Sequence, residues 1–254
     1  MKRSLKSFGF ALVLLLFASN AFPADTPGGT LVIENFETLA VGRIPRTWRT
    51  WPLQRGKATK VYSVQQEEGN RFLHADDREF ISVQLLRNFN WNVGDLPLLS
   101  WRWRAIRIPK GAREDRHPKN DSACAVYVTI GYVNGKALKY VWSSDLAPDT
   151  IVCRSPDYTL TVKDKCSPSD RMVTRVLDGG AKEMGKWNFH RVDVVDDFKK
   201  YFGIDLDGTP RIAVLTDGNA DDIKQRATCD YDDFAIAGAA RKGPHIAAPH
   251  ATKP

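Results

Sequence analysis

The chain has 254 residues, of which 43% are hydrophobic and 26% charged. These are ordinary values for a globular protein long enough to bury a core. The formal charge is +7, and Lys2, Arg3 and Lys6 supply three of it, which leaves +4 spread thinly over the remainder. Nucleic-acid binding needs a concentrated basic stripe, so it is excluded as a leading function.

Taken in order, the chain begins with a secretory signal over residues 1–21. Three cations precede an apolar run from Phe8 to Ala18, and Ser19-Asn20-Ala21 offers small residues for cleavage. The apolar run is short for a membrane span. Cleavage is expected after Ala21, with Ala24 the second choice. No cysteine lies near the cut, so the sequence predicts no lipid or membrane anchor after cleavage. The expected compartment is periplasmic or secreted. Residues 22–30 read as a linker rich in Pro and Gly, residues 31–237 as one β-sandwich domain, and residues 238–254 as a disordered tail of Ala, Gly, Pro, Lys and His.

Leu31 to Phe36 reads as the first strand. A loop carrying Gly42, Pro45 and Trp48 follows. Short strands are expected at Thr59–Val64, Arg71–Ala75 and Phe80–Leu86, with a hairpin turn at Glu68-Gly69-Asn70. The strongest pattern runs from Pro97 to Ser143. Trp101, Trp103 and Ala105 alternate with Arg102 and Arg104. Val126, Val128 and Ile130 alternate with Tyr127 and Thr129, and Tyr140 shares a face with Trp142. Period-two alternation marks half-buried strands. These three runs are expected to form the middle of one antiparallel sheet, with Trp101 and Trp103 turned to the core. Further strands are expected at Lys186–Val195, Arg211–Thr216 and Tyr231–Ala237. One short helix is expected near 196–203, where Phe198, Tyr201 and Phe202 keep helical spacing and Gly203 closes the turn. Many short strands with few helices and no internal repeat predict an all-β, antiparallel, jelly-roll-like β-sandwich.

Four cysteines, Cys124, Cys153, Cys166 and Cys229, remain in an exported chain and suggest disulfides, with three pairings open. Cys153 and Cys166 make the easiest local bridge, which would leave Cys124 to join a central strand to the last one through Cys229. No C-x-x-C spacing points to zinc or to a redox pair.

The blocks SWRWR, IPKG, DSACAVYV, KYVWS, KWNFHRVDVVDDFKKYFG and IAVLTDGNADD, in that order, resemble the bacterial family catalogued as domain of unknown function 3047. The resemblance covers roughly Leu31 to Ile236 and implies a single exported β domain without naming an activity. Asn120 stands where the family pattern carries a second aspartate, and DGNADD replaces an acidic loop ending in threonine. The end blocks LVIENFE and CDYDDFAI are also similar to the first and last strands of jelly-roll carbohydrate-binding modules. That likeness implies a structural calcium held by Glu34 or Glu37 with Asp230 or Asp232.

The loop Asp217–Asp222 has oxygen ligands at alternate positions but lacks the glycine and glutamate of an EF-hand, so a plain solvated turn is the simpler reading. Glu114 and Asp115 read as solvated loop acids. Tyr127, Tyr140 and Trp142 could stack on sugar rings, while Arg102 and Arg104 could bind anionic groups. Catalysis has little support. There is no H-E-x-x-H and no G-x-S-x-G elbow, and His190 reads as structural. The sequence therefore predicts a non-catalytic protein that binds a glycan or another small anionic ligand. An envelope hydrolase and a structural, partner-binding envelope protein are the alternatives. Oligomeric state is not legible.

Overall fold

The computed structural model describes residues 29–131, 135–206 and 208–239. The expected signal segment, most of the linker and all but two residues of the expected tail lie outside the described residues. The strands are β1 (Thr30–Glu34), β2 (Trp48–Arg49), β3 (Tyr62–Glu67), β4 (Asn70–Asp77), β5 (Leu85–Arg87), β6 (Leu98–Arg107) and β7 (Cys124–Ile130). They continue as β8 (Lys136–Ser143), β9 (Ile151–Arg154), β10 (Leu160–Val162), β11 (Met172–Gly179), β12 (Asn188–Asp193), β13 (Arg211–Leu215) and β14 (Ala227–Ala237). Two short helical segments join them: α1 (Arg55–Val61) and α2 (Val194–Asp197), the latter running on as a wider turn to Phe202.

The first sheet has the order β12-β6-β14-β4-β3, with β1 also on β14. The second has the order β10-β9-β11-β8-β7-β13-β5-β2. Neighbours are antiparallel except β11 and β8, which run parallel. The inward faces share one apolar core, so the all-β sandwich expected from alternation is present. β14 organises the first sheet. Its first half pairs with β4 through Tyr231, and its last residues pair with β1. Between them lies Asp233 at φ 54, where the register against β6 also slips. That bulge hands one edge of β14 from β4 to β1.

The three aromatic runs do not lie in one sheet. β6 belongs to the first sheet, whereas β7 and β8 pair in the second. Their apolar faces meet across the core instead, with the Trp101 and Tyr140 ring centroids 5.5 Å apart. Alternation reports a buried face but is silent on which sheet carries it. A second correction concerns Thr59–Val64. Ala58 and Val61 share a buried helical face on α1, so the strand begins only at Tyr62. Among the described residues the sandwich therefore has two short α-helices rather than one. The expected hairpin turn is present, with Glu68 and Gly69 both at positive φ between β3 and β4. The expected helix starts earlier, at Val194, where the Asp193 carboxylate caps the Asp196 N–H at 3.0 Å. It closes at Gly203 with φ 69.

Both disulfides form. Cys124 on β7 bonds Cys229 on β14 and ties the two sheets together through the core. Cys153 on β9 bonds Cys166 and staples the irregular excursion after β10. Tyr231 crosses the same core from β14. Its hydroxyl donates to the Leu215 carbonyl at 2.8 Å and accepts from the Ala125 N–H at 3.0 Å.

A second apolar cluster lies on the outer face of the second sheet and includes Ala125, Tyr127, Val141, Val152, Met172 and Val176. The middle strands of that sheet are therefore buried on both faces. This is why DSACAVYV reads as a nearly continuous apolar run rather than a clean alternation.

Candidate functional site: a groove on the outer face of the second sheet

The outer face of the second sheet carries a groove of about 280 Å³ lined by Gln84, Asn120, Tyr127, Thr129, Ala137, Lys139, Arg154, Met172 and Asp217. Strand register builds it. Tyr127 on β7 stands opposite Lys139 on β8, which stands opposite Thr174 on β11. The neighbouring row carries Thr129, Ala137, Met172 and Arg154 across β7, β8, β11 and β9. Every lining residue on these strands sits on the face opposite the main core, as period two requires. Three loops close the rim, and the one before β5 supplies Gln84. The loop before β7 supplies Asn120, and the loop after β13 supplies Asp217, whose N–H donates to the Ser122 carbonyl at 3.0 Å.

Lys139 is 3% exposed, and its ammonium lies 5.7 Å from the centroid of the Tyr127 ring. Burial works against its charge, but Tyr127, Glu114 and Asp217 outweigh that, so its pKa lies above the ordinary lysine value. Burial pushes the Asp217 carboxyl up to about 6; Lys139 opposes the shift and Asp121 adds to it. Asp217 Oδ1 is buried and has no hydrogen-bond partner. Glu114, which also acts on Lys139, is fully buried. It accepts from Ser122 Oγ at 2.9 Å and Ser143 Oγ at 2.5 Å, and burial raises its pKa. This corrects the reading of Glu114 as a solvated loop acid. Asp121 is likewise buried and holds the Ala220 N–H at 2.9 Å, which shapes the loop after Asp217. That loop is thus a folded rim rather than a plain solvated turn.

Of the five residues expected to bind ligand, Tyr127 alone lines the groove. Tyr140 and Trp142 are fully buried between the sheets. The Tyr140 hydroxyl donates to Asp197 at 2.8 Å and the Trp142 indole donates to the Gly180 carbonyl at 3.0 Å. Neither presents a face to a sugar, which corrects that expectation: they share the core-facing register of β8, and Tyr127 has the opposite register on β7. Arg102 and Arg104 lie on the outer face of the first sheet. Arg102 bonds Asp232 at 2.6 Å and Asp233 at 2.8 Å, while Arg104 bonds Asp230 at 2.8 Å and Glu67 at 2.7 Å. Both guanidinium groups also lie over the Trp187 ring, at 4.7 and 4.8 Å.

The four carboxylates expected at a calcium are each engaged within the protein. Glu34 accepts from the Phe36 N–H and from Thr47 Oγ1. Glu37 accepts from the Arg71 N–H. Asp230 accepts from Arg104 and bonds His74 at 2.7 Å, and Asp232 accepts from Arg102 and Asn70. Burial and the neighbouring Asp233 push Asp232 up to about 7, against Asn70 and Arg102. Among the described residues, one group of three metal-ligating side chains has its atoms within 4.8 Å of one another, Cys153, Cys166 and Asp170. Its two sulfurs form a disulfide. His190 bonds Asp178 at 2.7 Å, and the same carboxylate accepts from the Trp103 indole at 2.6 Å. This pair bridges the sheets and does not line the groove.

Lys139, Arg154 and Gln84 were missed in the sequence. The usable signal for Lys139 was its register. It is a lone cation between Ala137 and Val141 on the face of β8 opposite Leu138 and Tyr140.

The chain belongs to the family described as "Protein of unknown function (DUF3047)", whose profile matches residues 46–235. No curated protein matches it in sequence. Among solved structures it is similar to a family 29 carbohydrate-binding module from Piromyces equi, at 12% identity and a TM-score of 0.33, covering 83% of this chain and 91% of that one. It is also similar to the family 11 carbohydrate-binding module of a cellulosomal cellulase from Clostridium thermocellum, at 6% identity and a TM-score of 0.35, covering 83% and 95%. A third similar structure is the K3 cleaved adhesin domain of Lys-gingipain from Porphyromonas gingivalis, at 13% identity and a TM-score of 0.35, covering 82% and 98%.

Proposed function

We propose that this member of the family is a non-catalytic binding protein whose groove on the outer face of the second sheet takes a carbohydrate, with an exposed cell-envelope glycan as the leading class. The observation that carries the reading is the mixed polar lining around Tyr127. Sugar hydroxyls both donate and accept, and rings offer apolar C–H faces. Lys139 and Arg154 donate, Asp217 accepts, and Asn120 and Gln84 do both. The Tyr127 ring supplies the apolar surface. A volume of about 280 Å³ lies near the lower end for small-ligand sites.

Glycoside hydrolysis ordinarily needs two carboxylates flanking the scissile bond. Among the described residues that line the groove, Asp217 is the single carboxylate, which favours binding over hydrolysis. The two disulfides support an oxidising compartment, outside the cytosol, where envelope glycans are found.

The test is a glycan-array screen of residues 22–238, with calcium and again with a chelator. A defined glycan is expected to bind, and Asp217→Asn or Tyr127→Leu should weaken it about tenfold. Arg102→Gln should leave it unchanged. Loss with the chelator would place a calcium at or beneath the site. Silence from folded protein in both conditions, or binding indifferent to both groove variants, would sink the reading.

A further inference from the structure

A second cavity lies at the far edge of the same sheet, outside the groove. Its volume is about 510 Å³, and Arg46, Arg49, Arg55, Trp48 and Thr50 are among the residues that line it. Strand order separates it from the groove. Between β7, which carries Tyr127, and β2, which carries Trp48, stand β13 and β5. Three strand spacings put roughly 14 Å between the two sites.

Three observations point to the same ligand chemistry. First, the segment from Thr38 to Gln66 contains Arg43, Arg46, Arg49, Arg55, Lys57 and Lys60 and no Asp or Glu. Second, among the described residues the guanidinium groups of Arg46, Arg49 and Arg55 have no ion-pair partner; Lys60 alone of the six cations is paired, with Glu79. Besides Glu79, Glu34 touches this segment, and its carboxylate is held by the Phe36 N–H at 3.2 Å and Thr47 Oγ1 at 2.7 Å. Third, two residues that line the cavity carry buried polar groups without partners. Trp48 is 3% exposed, stacked on Phe36 and edge-on to Phe234, yet its indole Nε1–H has no hydrogen-bond partner. Thr50 Oγ1 is buried and unpartnered as well. A buried donor left unpaired is expensive, and unpaired arginines crowded around it repel one another.

We propose that this cavity is an oxyanion site that takes a phosphate- or sulfate-class group. The planar arginine forks match tetrahedral oxyanions, and the unpartnered Trp48 indole and Thr50 hydroxyl lie on residues of the same lining. The cavity is larger than one such group, so the ligand carries a body behind its anion. Trp51 and Leu53 flank the site at 62% and 98% exposure. The anion's source is therefore either a soluble phosphorylated molecule or a lipid headgroup, and the two are separated by experiment.

The probes are inorganic pyrophosphate, followed by calorimetry and by the Trp48 indole N–H resonance, and vesicles of phosphatidylglycerol or phosphatidylcholine, followed by flotation. Trp48→Phe identifies the resonance. Saturable binding of pyrophosphate with a shifted Trp48 signal is expected, and Arg46→Gln or Arg49→Gln should weaken it about tenfold or more. Both arginines are exposed, so these variants retain the fold. Lys182→Gln, an exposed cation elsewhere, should change nothing. Binding to phosphatidylglycerol but not phosphatidylcholine vesicles, with the same sensitivity to the variants, would assign the anion to a headgroup. Absence of saturable binding to pyrophosphate and to both vesicles, or binding that the arginine variants leave untouched, would overturn the proposal.

Discussion

The outer faces of the two sheets start from similar sequence patterns and end in opposite states. Each has cations on the solvent side of a strand whose other side carries aromatic core residues. On the first sheet, Arg102 and Arg104 of β6 stand opposite Asp232 and Asp230 of β14. The cross-strand register supplies each charge with a partner, Asp233 and Glu67 add to it, and Trp187 covers the pair. On the second sheet, Lys139 of β8 stands opposite Tyr127 and Thr174, neither of which is an anion. Its compensation comes from Glu114 and Asp217, which loops carry over the face. A face neutralised strand by strand is closed. A face neutralised from above keeps room beneath its loops, and that room is the groove.

The largest expected effect comes from cutting the tie between the two sheets. Replacing Cys124 and Cys229 with alanine opens a loop of 105 residues in the unfolded chain. Urea denaturation should show a loss of roughly 4–5 kcal/mol. A loss below about 1 kcal/mol would mean that the core holds the sheets together unaided.

Next comes the closed face. Arg102→Ala leaves Asp232 fully buried beside Asp233 without its guanidinium. Breaking such a pair should cost roughly 3–5 kcal/mol and leave groove binding intact. A change in glycan affinity with no change in stability would reverse the assignment of the two faces.

The groove should respond to pH. The Asp217 pKa of about 6 lies above its unfolded value of 3.8. Between these values the folded protein holds a proton that the unfolded chain releases. The associated stability is present below about pH 4 and is lost as pH rises through 6, about 3 kcal/mol in all. Asp217→Asn should flatten that part of the stability–pH curve, as measured by denaturation from pH 4 to 7. Asp232, at about 7, contributes a slope of the same sign, so the part that survives in Asp217→Asn should extend higher in pH. An unchanged curve would place the Asp217 carboxylate in water rather than in the rim.

The smallest effect is expected at Lys60 and Glu79, whose side chains are both 55% exposed. Lys60→Met should shift stability by less than about 1 kcal/mol, because exposed pairs are screened. A larger change would show that the first sheet's charges act as one network reaching its edge strands.

How much of this was legible depended on the range of the interaction concerned. Alternation in SWRWR showed that Trp101 and Trp103 are core and that Arg102 and Arg104 are not, because the two sides of a strand are set by neighbours in the chain. It did not show that Asp230 and Asp232, more than a hundred residues away, would consume those arginines. The same alternation placed Tyr140 and Trp142 on one face of β8, but which face meets the core is decided by the sheet opposite. Lys139 was overlooked because a single lysine in an apolar strand has no local signature of burial.

From the chain alone come the all-β class, the expectation of disulfides though not their pairing, the hairpin at Glu68-Gly69 and the helical turn ending at Gly203. These rest on period, on even cysteine count and on residues that tolerate positive φ, all of which act over short spans. Only the tertiary structure decided that β6 faces β7 and β8 across the core, that β14 shares one edge between β4 and β1, and that Asp217 reaches over Tyr127 and Lys139. Those depend on which strands pair at a distance, and pairing is settled by the packing of both faces at once.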